Sequence, residues 1–320
     1  MAGIIDNANN LSMQYKGKIA FVFAGQGAQY PGMGKDLYDN SKSAKMVYDI
    51  ADIIREGTSQ QCFNGTKDEL SRTINTQPCL FCADLAAAEA LREHNIIPDY
   101  IAGFSLGEIP ALAFGGYLQI NDAFKFVCKR AQYMDECANE TNGVMYAVVG
   151  LNPDKVAELC QSVDKCYPVN FNCQTQTVAA CCLDSADNFA ALVKQNGGKA
   201  IKLRVSGAFH SPFMNKASEK LSNEFADLKF NTPIIPVLAN ATAQEYTSTD
   251  LMFKQVNSPV LWQKTIENMA ELGVTIFIEV GPGKTLTGLI SKILPDALTI
   301  NVENMESLNK AMELLKNAER

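Results

Sequence analysis

The amino-acid sequence predicts an α/β fold with a mostly parallel sheet, into which a small ferredoxin-like unit is inserted. Two observations carry this prediction. Short apolar runs typical of buried strands alternate with helical patterns along most of the 320 residues, an order that places helices on both faces of a parallel sheet. Between residues 141 and 205 the order becomes strand, helix, strand, strand, helix, strand, which is the ferredoxin-like arrangement.

The predicted elements follow in chain order. Before the insert we expect strands at 19–23 and just before Gly103, and helices at 35–56, 77–93, 109–114 and 121–138. Within it we expect strands at 145–149, 169–172, 178–182 and 199–205, and helices at 154–161 and 186–196. After it we expect strands at 234–238, 275–280 and near 299, and helices at 212–228, 251–256, 260–272 and 307–318.

Residue types that favour helix N-termini predict where several helices begin, and the change in the order of strands and helices predicts the limits of the subdomains. Thr66 and Glu69 fit a capping box, Pro78 fits a first helical turn, and Asn121 or Asp122 and then Ser185 fit N-caps. We expect a flexible N-terminal tail at 1–16, a large subdomain at 17–140 and 206–320, and a small subdomain at 141–205.

Composition and charge disfavour several classes of partner. The 28 Lys and Arg residues against 35 Asp and Glu give a net charge of −7, which disfavours nucleic acid and anionic membranes. No apolar run reaches the roughly 18 residues of a membrane span, and no secretory signal pattern begins the chain. The ten cysteines show no paired spacing, and Cys79 and Cys82 lack further ligands. We therefore expect a cytoplasmic protein with reduced, buried thiols and no metal. We also expect a monomer, although the sequence gives no oligomeric state.

A serine motif stands directly after one predicted strand. The run Gly103-Phe104-Ser105-Leu106-Gly107 fits Gly-x-Ser-x-Gly, with a strand before it and a helix after it, which is the context of a nucleophile elbow. Such a turn crowds Cβ atoms at the glycine positions, and a helix N-terminus favours negative charge at the serine. We predict that Ser105 is a nucleophile; the alternative is a serine that only caps the helix.

A serine hydroxyl needs a base, and the sequence contains two histidines. His94 lies near the end of a helix, where we expect it to be solvated. His210 follows a predicted strand, at the sheet edge where catalytic groups gather, and we predict that it is the general base. The alternative is an ordinary loop histidine. No acidic residue adjoins His210 in the sequence, so either Glu279 or a backbone carbonyl could orient it.

Acyl transfer also requires hydrogen-bond donors for an oxyanion. The backbone N–H of Leu106, which follows the serine, is one candidate, and that of Gln26, in the Gly-Gln-Gly turn after the first strand, is the other. Arg130 lies in an otherwise apolar helix and could bind a substrate carboxylate in bidentate fashion. The alternative for Arg130 is a solvated arginine, which is the commoner case on helices.

These segments resemble the malonyl-CoA:acyl carrier protein transacylase family and the acyltransferase domains of polyketide synthases. The resemblance rests on segments at 21–29, 103–108, 130, 169–172, 208–211, 255–260 and 279–283. It implies an α/β-hydrolase-like large subdomain and an enzyme without metal or organic cofactor. It also implies ping-pong transfer of a malonyl group from malonyl-CoA to the phosphopantetheine thiol of acyl carrier protein, for fatty acid or polyketide synthesis.

The resemblance implies a role for each candidate residue. The catalytic pair would be Ser105 and His210, the oxyanion hole Gln26 and Leu106, the substrate-binding residues Arg130 and Phe209, and the histidine-orienting residues Gln255 and Asn240. Phe104 departs from the family, which usually has histidine before the serine, so the pocket wall and acyl selectivity stay open. Lys199, Lys202 and Arg204 are candidate basic residues for carrier-protein docking.

Two other functions remain alternatives. A thioester hydrolase on the same scaffold would not need a carboxylate-binding Arg130. A non-enzymatic docking subunit would not need Ser105 and His210.

Overall fold

The computed structural model describes residues 17–318, so the tail predicted at 1–16 lies outside the described residues. The strands are β1 (Lys18–Phe23), β2 (Tyr100–Gly103), β3 (Gly143–Val149), β4 (Cys166–Cys173), β5 (Gln176–Cys182), β6 (Lys199–Lys202), β7 (Val237–Leu238), β8 (Val274–Val280) and β9 (Leu298–Val302). Within these residues no helix is both long and apolar enough to cross a membrane.

Helices alternate with these strands. They are α1 (Lys35–Asn40), α2 (Lys42–Ile54), α3 (Thr58–Asn64), α4 (Lys67–Ser71), α5 (Thr73–Glu93), α6 (Glu108–Phe114), α7 (Ile120–Glu140), α8 (Pro153–Gln161), α9 (Leu183–Gln195), α10 (Asn215–Glu224), α11 (Thr249–Lys254), α12 (Trp262–Glu271), α13 (Thr285–Ile293) and α14 (Met305–Ala318). Short 3₁₀ turns occupy Ser105–Gly107, Pro212–Met214 and Gln255–Asn257.

Five strands form a parallel sheet in the order β7-β2-β1-β8-β9. The central strand β1 is buried from Ile19 onward, as expected for a parallel strand covered on both faces. Its side chains alternate between two cores. Phe21 and Phe23 pack in the larger core with α5, and Ala20 and Val22 pack in the core that contains α12 and α13. The predicted α/β class is therefore confirmed.

Four strands form a separate antiparallel sheet in the order β4-β5-β3-β6. Helices α8 and α9 cover one face through a core that includes Val156 and Phe189. The chain order and the sheet order are those of a ferredoxin-like unit, so this part of the fold prediction is also confirmed. β4 additionally bonds to the segment before α12, because the N–H of Val260 donates to the carbonyl of Val169 at 2.8 Å.

Several predicted boundaries are wrong because packing and backbone contacts, not start signals, set the helix ends. α5 begins at Thr73, so Pro78 lies inside the helix, where burial on nearly every side stabilises it. The expected helix at 35–56 is interrupted at Ser41, whose hydroxyl caps α2 by accepting from the N–H of Ala44. The predicted strand at 234–238 shortens to the two residues of β7.

Of the other helix-cap predictions, one is confirmed and two are wrong. The capping box of Thr66 and Glu69 is confirmed. The N-caps predicted at Asn121 or Asp122 and at Ser185 are wrong, because α7 begins at Ile120 and α9 at Leu183.

Candidate active site

The serine turn lies at the carboxyl end of β2, beside the end of β1. Phe23 and Gly103 are paired across the two strands, so the loops that follow them share one edge of the sheet. Ser105 has a left-handed backbone with φ of 55°, a conformation that only a constrained turn imposes on such a residue. A Cβ at Gly107 would lie 2.3 Å from the carbonyl oxygen of Phe23, and one at Gly103 would strike the backbone of Glu108. The close approach of these loops therefore requires glycine at both positions.

His210 contacts the serine directly. Its Nε2 lies 2.6 Å from Ser105 Oγ, and its Nδ1 lies 2.9 Å from the carbonyl oxygen of Gln255. A carbonyl can only accept a hydrogen bond, so Nδ1 carries the proton and the lone pair of Nε2 faces the serine hydroxyl. The backbone of His210 is also left-handed, with φ of 59°, and its N–H donates to the carbonyl of Val256.

The ring of His210 is poised as a neutral base. Burial, and secondly the positive charge of Arg130, lower the pKa of His210 to about 4. The imidazole is therefore uncharged at neutral pH and able to take a proton. Glu279, the acidic candidate for orienting it, instead accepts from the backbone N–H groups of Leu286 and Thr287 at the start of α13. The orienting group is the carbonyl of Gln255.

Arg130 is a buried cation beside the nucleophile. Only 1% of it is exposed, although α7 otherwise has a polar outer face. Its Nη1 donates to Gln77 Oε1 at 2.7 Å, and its Nη2 donates to Gln255 Oε1 at 2.9 Å and lies 3.4 Å from Ser105 Oγ. Burial lowers the pKa of Arg130 to about 10, so it remains charged at neutral pH.

The hydrogen-bond partners of Arg130 are neutral. Both acceptors are carboxamide oxygens, and its Nε is buried without a partner in the described residues. Within residues 17–318 no carboxylate forms an ion pair with the guanidinium. The nearby Glu108 raises the pKa of Arg130 without bonding to it, so the guanidinium keeps an unpaired buried donor that suits an anionic ligand.

Gln255 joins all three groups. Its carbonyl accepts from His210, its side-chain oxygen accepts from Arg130, and its Nε2 donates to the carbonyl of Ser105 at 2.5 Å. The base, the cation and the nucleophile turn are thus fixed by one side chain and its backbone.

Asn240 holds the serine turn and, among the described residues, has no hydrogen bond to His210; its Oδ1 lies 3.5 Å from Gln255 Nε2, and its role in orienting His210 stays a prediction. Its Nδ2 donates to the carbonyl of Gly103 at 2.6 Å, and its Oδ1 accepts from the N–H of Ser105 at 2.8 Å. Asn240 reaches the turn because it follows β7, which pairs with β2, the strand that leads into the turn.

Two polar residues of the site, Gln77 and Glu108, were not predicted from the sequence. Gln77, the first partner of Arg130, is a polar residue within the apolar helix α5. Glu108 is fully buried directly after the turn, and its Oε1 accepts from the N–H of Asn240 at 2.5 Å. Burial raises the pKa of Glu108 to about 7. A carboxyl group at the start of an apolar helix could have indicated that Glu108 is buried. Its hydrogen-bond partner, Asn240, could not be found in this way because it lies 132 residues away in the chain.

A cavity of about 240 Å³ opens onto Ser105 and His210. Its lining includes Gln26, Phe104, Arg130, Phe209, Asn170, Asn172, Met145, Val178, Leu203, Val205 and Leu289. Gln26 lies on one wall, and its side chain donates to Thr73. The ring of Phe104 packs edge-on against Trp262 at 5.3 Å between centroids, so the cavity wall is apolar at the position before the serine.

The structure also places the remaining candidate residues, some of them away from this centre. The side chain of Leu106 is fully buried behind the serine. His94 is exposed at the end of α5. Cys79 and Cys82 are free thiols buried in the same helix.

Comparison with known proteins agrees with this geometry. The sequence model of a family described as "Acyl transferase domain" matches residues 20–317. The malonyl CoA-acyl carrier protein transacylase of Bacillus subtilis is 37% identical over 309 residues, covering 93% of this chain and 98% of that relative. The chain belongs to the malonyl CoA-acyl carrier protein transacylase family. The resemblance found in the sequence is therefore confirmed.

Solved structures of the transacylase family share this fold. The malonyl CoA-acyl carrier protein transacylase of Clostridium perfringens aligns with a TM-score of 0.90 at 35% identity, covering 94% of this chain and 98% of that one. A malonyl-transacylase in complex with its type II polyketide acyl carrier protein aligns with a TM-score of 0.88 at 31% identity, covering 93% and 99%. That second structure contains the carrier protein as a bound partner.

Proposed function

We propose that this protein transfers a malonyl group from malonyl-CoA to the phosphopantetheine thiol of acyl carrier protein, through an acyl-enzyme on Ser105. The observation that carries the proposal is the buried guanidinium of Arg130, 3.4 Å from Ser105 Oγ and held by neutral acceptors. A malonyl ester on Ser105 carries its free carboxylate two carbons from the ester oxygen. Arg130 would bind that carboxylate in bidentate fashion.

In the first half-reaction Ser105 Oγ attacks the thioester carbonyl while His210 Nε2 takes the hydroxyl proton. The negative charge that develops on the carbonyl oxygen is stabilised by the backbone N–H groups of Leu106 and Gln26. When the tetrahedral intermediate collapses, the carbon–sulfur bond breaks and the CoA sulfur takes the proton from His210. The malonyl group then remains as an ester on Ser105.

The negative charge of a bound malonyl group would raise the pKa of His210, the general base. In the empty site the positive charge of Arg130 helps to lower the pKa of His210. A malonyl carboxylate on Arg130 would offset that charge, so His210 would accept the serine proton more readily once the substrate is bound. This coupling favours malonyl over an uncharged acyl group of similar size.

In the second half-reaction the thiol of the carrier-bound phosphopantetheine attacks the ester, and His210 takes the thiol proton and returns it to Ser105. The carboxamides of Asn170 and Asn172 line the cavity, and their Oδ1 atoms have no partner among the described residues. They are suited to the amide groups of the pantetheine arm, which both substrates share. Leu203 and Val205 also line this cavity.

An acidic carrier protein would meet a basic rim near that cavity. Lys202 at the end of β6 and Arg204 after it are exposed and alternate with Leu203 and Val205, and Lys199 is exposed at the start of β6. With a net charge of −7 on the whole chain, such a local basic patch is needed for attraction.

The proposed enzyme works as a monomer in the cytoplasm and uses neither a metal nor an organic cofactor. Free cysteines are consistent with a reducing compartment, and the proposed steps need only side chains and backbone groups. The product could enter fatty acid or polyketide synthesis.

The distinguishing experiment is a chase of the isolated malonyl-enzyme. The loss of the acyl group is followed with and without holo acyl carrier protein, at equal enzyme concentration. We expect the carrier to clear the adduct at least 100-fold faster than buffer alone and to gain the malonyl mass. Equal loss in both samples, with free malonate as the product, would identify a thioester hydrolase instead.

A further inference from the structure

A pair of thiols lies face to face across the small sheet, away from the catalytic centre. Cys166 on β4 is directly opposite Cys181 on β5, and their Sγ atoms are 2.7 Å apart. Both are buried, with 6% of Cys166 and none of Cys181 exposed. A free cysteine packs as a small apolar residue, so the feature that bears on chemistry is the contact between the two sulfurs and not their burial.

The backbone geometry at this pair suits a covalent bond. The N–H of Cys182 donates to the carbonyl of Lys165, so the neighbouring pair is hydrogen-bonded and Cys166–Cys181 is a non-hydrogen-bonded pair. Pro168, which has no N–H, lies opposite Ala179 in the next position of the same type. At such positions Cα atoms lie about 4.5 Å apart, which is within the range that disulfides span.

A cavity of about 420 Å³ on the surface gives reagents a path to one of the two sulfurs. It is lined by the end of α8, the loop after it and the first residues of β4, including Cys160 and Cys166. Cys181 lies behind Cys166 and does not line the cavity. An oxidant entering from solvent would therefore meet Cys166 before Cys181.

We propose that Cys166 and Cys181 are a modification site, at which hydrogen peroxide converts the two thiols into a disulfide that ties β4 to β5. The Cys166 sulfur attacks one peroxide oxygen, the oxygen–oxygen bond breaks, and a sulfenic acid and one water form. The Cys181 sulfur then attacks the Cys166 sulfur, and the sulfur–oxygen bond breaks with loss of the second water. Two thiols lose two electrons and the peroxide gains them.

The surroundings set the rate and the order of these steps. A hydrogen bond with Cys160 acts to lower the pKa of the Cys166 thiol, but the contact with Cys181 and burial raise it overall. Little thiolate is present at neutral pH, so the first step is slow. The second step is fast because the partner sulfur is already in contact. Disulfide formation therefore precedes further oxidation of Cys166.

The bond would stabilise the fold without blocking the catalytic cavity. Cys166 and Cys181 belong to the core beneath α8 and α9, whereas Val178 and Met145, which line the cavity, belong to the opposite face of the same sheet. The bond closes a loop of 15 residues, which restricts the unfolded chain. We expect the oxidised protein to unfold a few degrees higher and to keep its activity.

The test is peptide mapping of the full chain after treatment with hydrogen peroxide, alkylation of the remaining thiols and digestion without reductant. We expect a cross-linked peptide pair containing Cys166 and Cys181, which dithiothreitol separates. The pair should be absent from Cys166→Ala and present in Cys62→Ala, which removes a buried thiol elsewhere. Cys166 recovered alone as a sulfinic or sulfonic acid, or linked to Cys160, would overturn the proposal.

A second measurement tests the consequence. The thermal midpoint of the unaltered protein should rise after oxidation and return after reduction, with the rate of acylation by malonyl-CoA within twofold throughout. An unchanged midpoint in a sample whose cross-link is verified would overturn the stabilising role. Neither mapping nor melting of the unaltered chain depends on whether a cysteine variant folds.

Discussion

His210 Nε2 lies 2.6 Å from Ser105 Oγ, although 105 positions separate the two residues in the chain. Both residues have a left-handed backbone, with φ of 59° and 55°. Each side chain is therefore aimed by a constrained turn that is held from outside: the carbonyl of Gln255 fixes the histidine ring, and Asn240 fixes the backbone N–H of the serine. Such geometry is expected where reacting groups must be held in place before the substrate arrives.

The selectivity for malonyl should depend on Arg130. Replacing Arg130 with Ala removes a charge-assisted contact worth roughly 2–5 kcal/mol to a buried carboxylate, so we expect acylation by malonyl-CoA to fall at least 30-fold. Acylation by acetyl-CoA, which has no carboxylate, should change less than threefold. The ratio of the two rates in each variant provides the internal control. An equal loss for both acyl groups would show that Arg130 supports the fold and not the malonyl group.

The pH dependence should differ between the free enzyme and the substrate complex. The acid limb of kcat/KM, which reports the free enzyme, should fall near pH 4, since burial and Arg130 lower the pKa of His210 to about 4. The acid limb of kcat should lie at higher pH, because bound malonyl offsets the charge of Arg130 and so raises the pKa of His210. In Arg130→Ala, acylated with acetyl-CoA, the two limbs should coincide.

Controls for this profile are needed at both ends. The pKa of Glu108 is raised to about 7, so its titration could also change the rate. The variant Glu108→Gln removes that titration and leaves the one of His210, and circular dichroism verifies that the protein stays folded at each pH. An acid limb of kcat/KM near pH 6.5, the ordinary value for histidine, would contradict the proposed environment of His210.

Removing the side chain of Asn240 should slow acylation by more than the accompanying loss of stability explains. Removing its side chain in Asn240→Ala takes a partner from the part-buried N–H of Ser105 and from the buried carbonyl of Gly103, and the buried group alone costs about 1–3 kcal/mol. We expect urea unfolding at lower concentration and acylation at least 10-fold slower. Asn268→Ala, which removes a buried amide bonded to the carbonyl of Ala243, should lower stability but leave acylation unchanged. Equal effects of the two variants on acylation would remove the assigned role.

The close approach of the two loops makes Gly107 intolerant of substitution. A Cβ there would lie 2.3 Å from the carbonyl oxygen of Phe23, so Gly107→Ala should lose soluble, folded protein or lower its thermal midpoint strongly. Gly288→Ala in α13 meets nothing within 4 Å and should be neutral or stabilising by up to about 1 kcal/mol. Folding yield and thermal melting of the two variants give the comparison.

The sequence predicts the parts of this molecule that local pattern encodes. The buried run of β1, the order of strands in the small sheet and the Gly-x-Ser-x-Gly turn are each contained in a short segment. His210 could be chosen because only one other histidine competes with it. Local patterns therefore predict both the fold class and the residue types of the candidate site.

The contacts that assemble the site could not be predicted in this way. Gln77 meets Arg130 across 53 residues, and Asn240 meets Ser105 across 135. Such pairs depend on how α5 packs on α7 and on which strand lies beside β2. The start of α5 was misplaced for the same reason, since tertiary packing overrides the signal of Pro78.

The central claim is that Ser105 carries the malonyl group, and intact mass spectrometry after brief mixing with malonyl-CoA tests it most directly. We expect a single malonyl adduct on the unaltered protein, mapped by digestion to the peptide that contains Ser105, and none on Ser105→Ala. An adduct of equal yield on Ser105→Ala, or turnover of malonyl-CoA by that folded variant, would contradict the account.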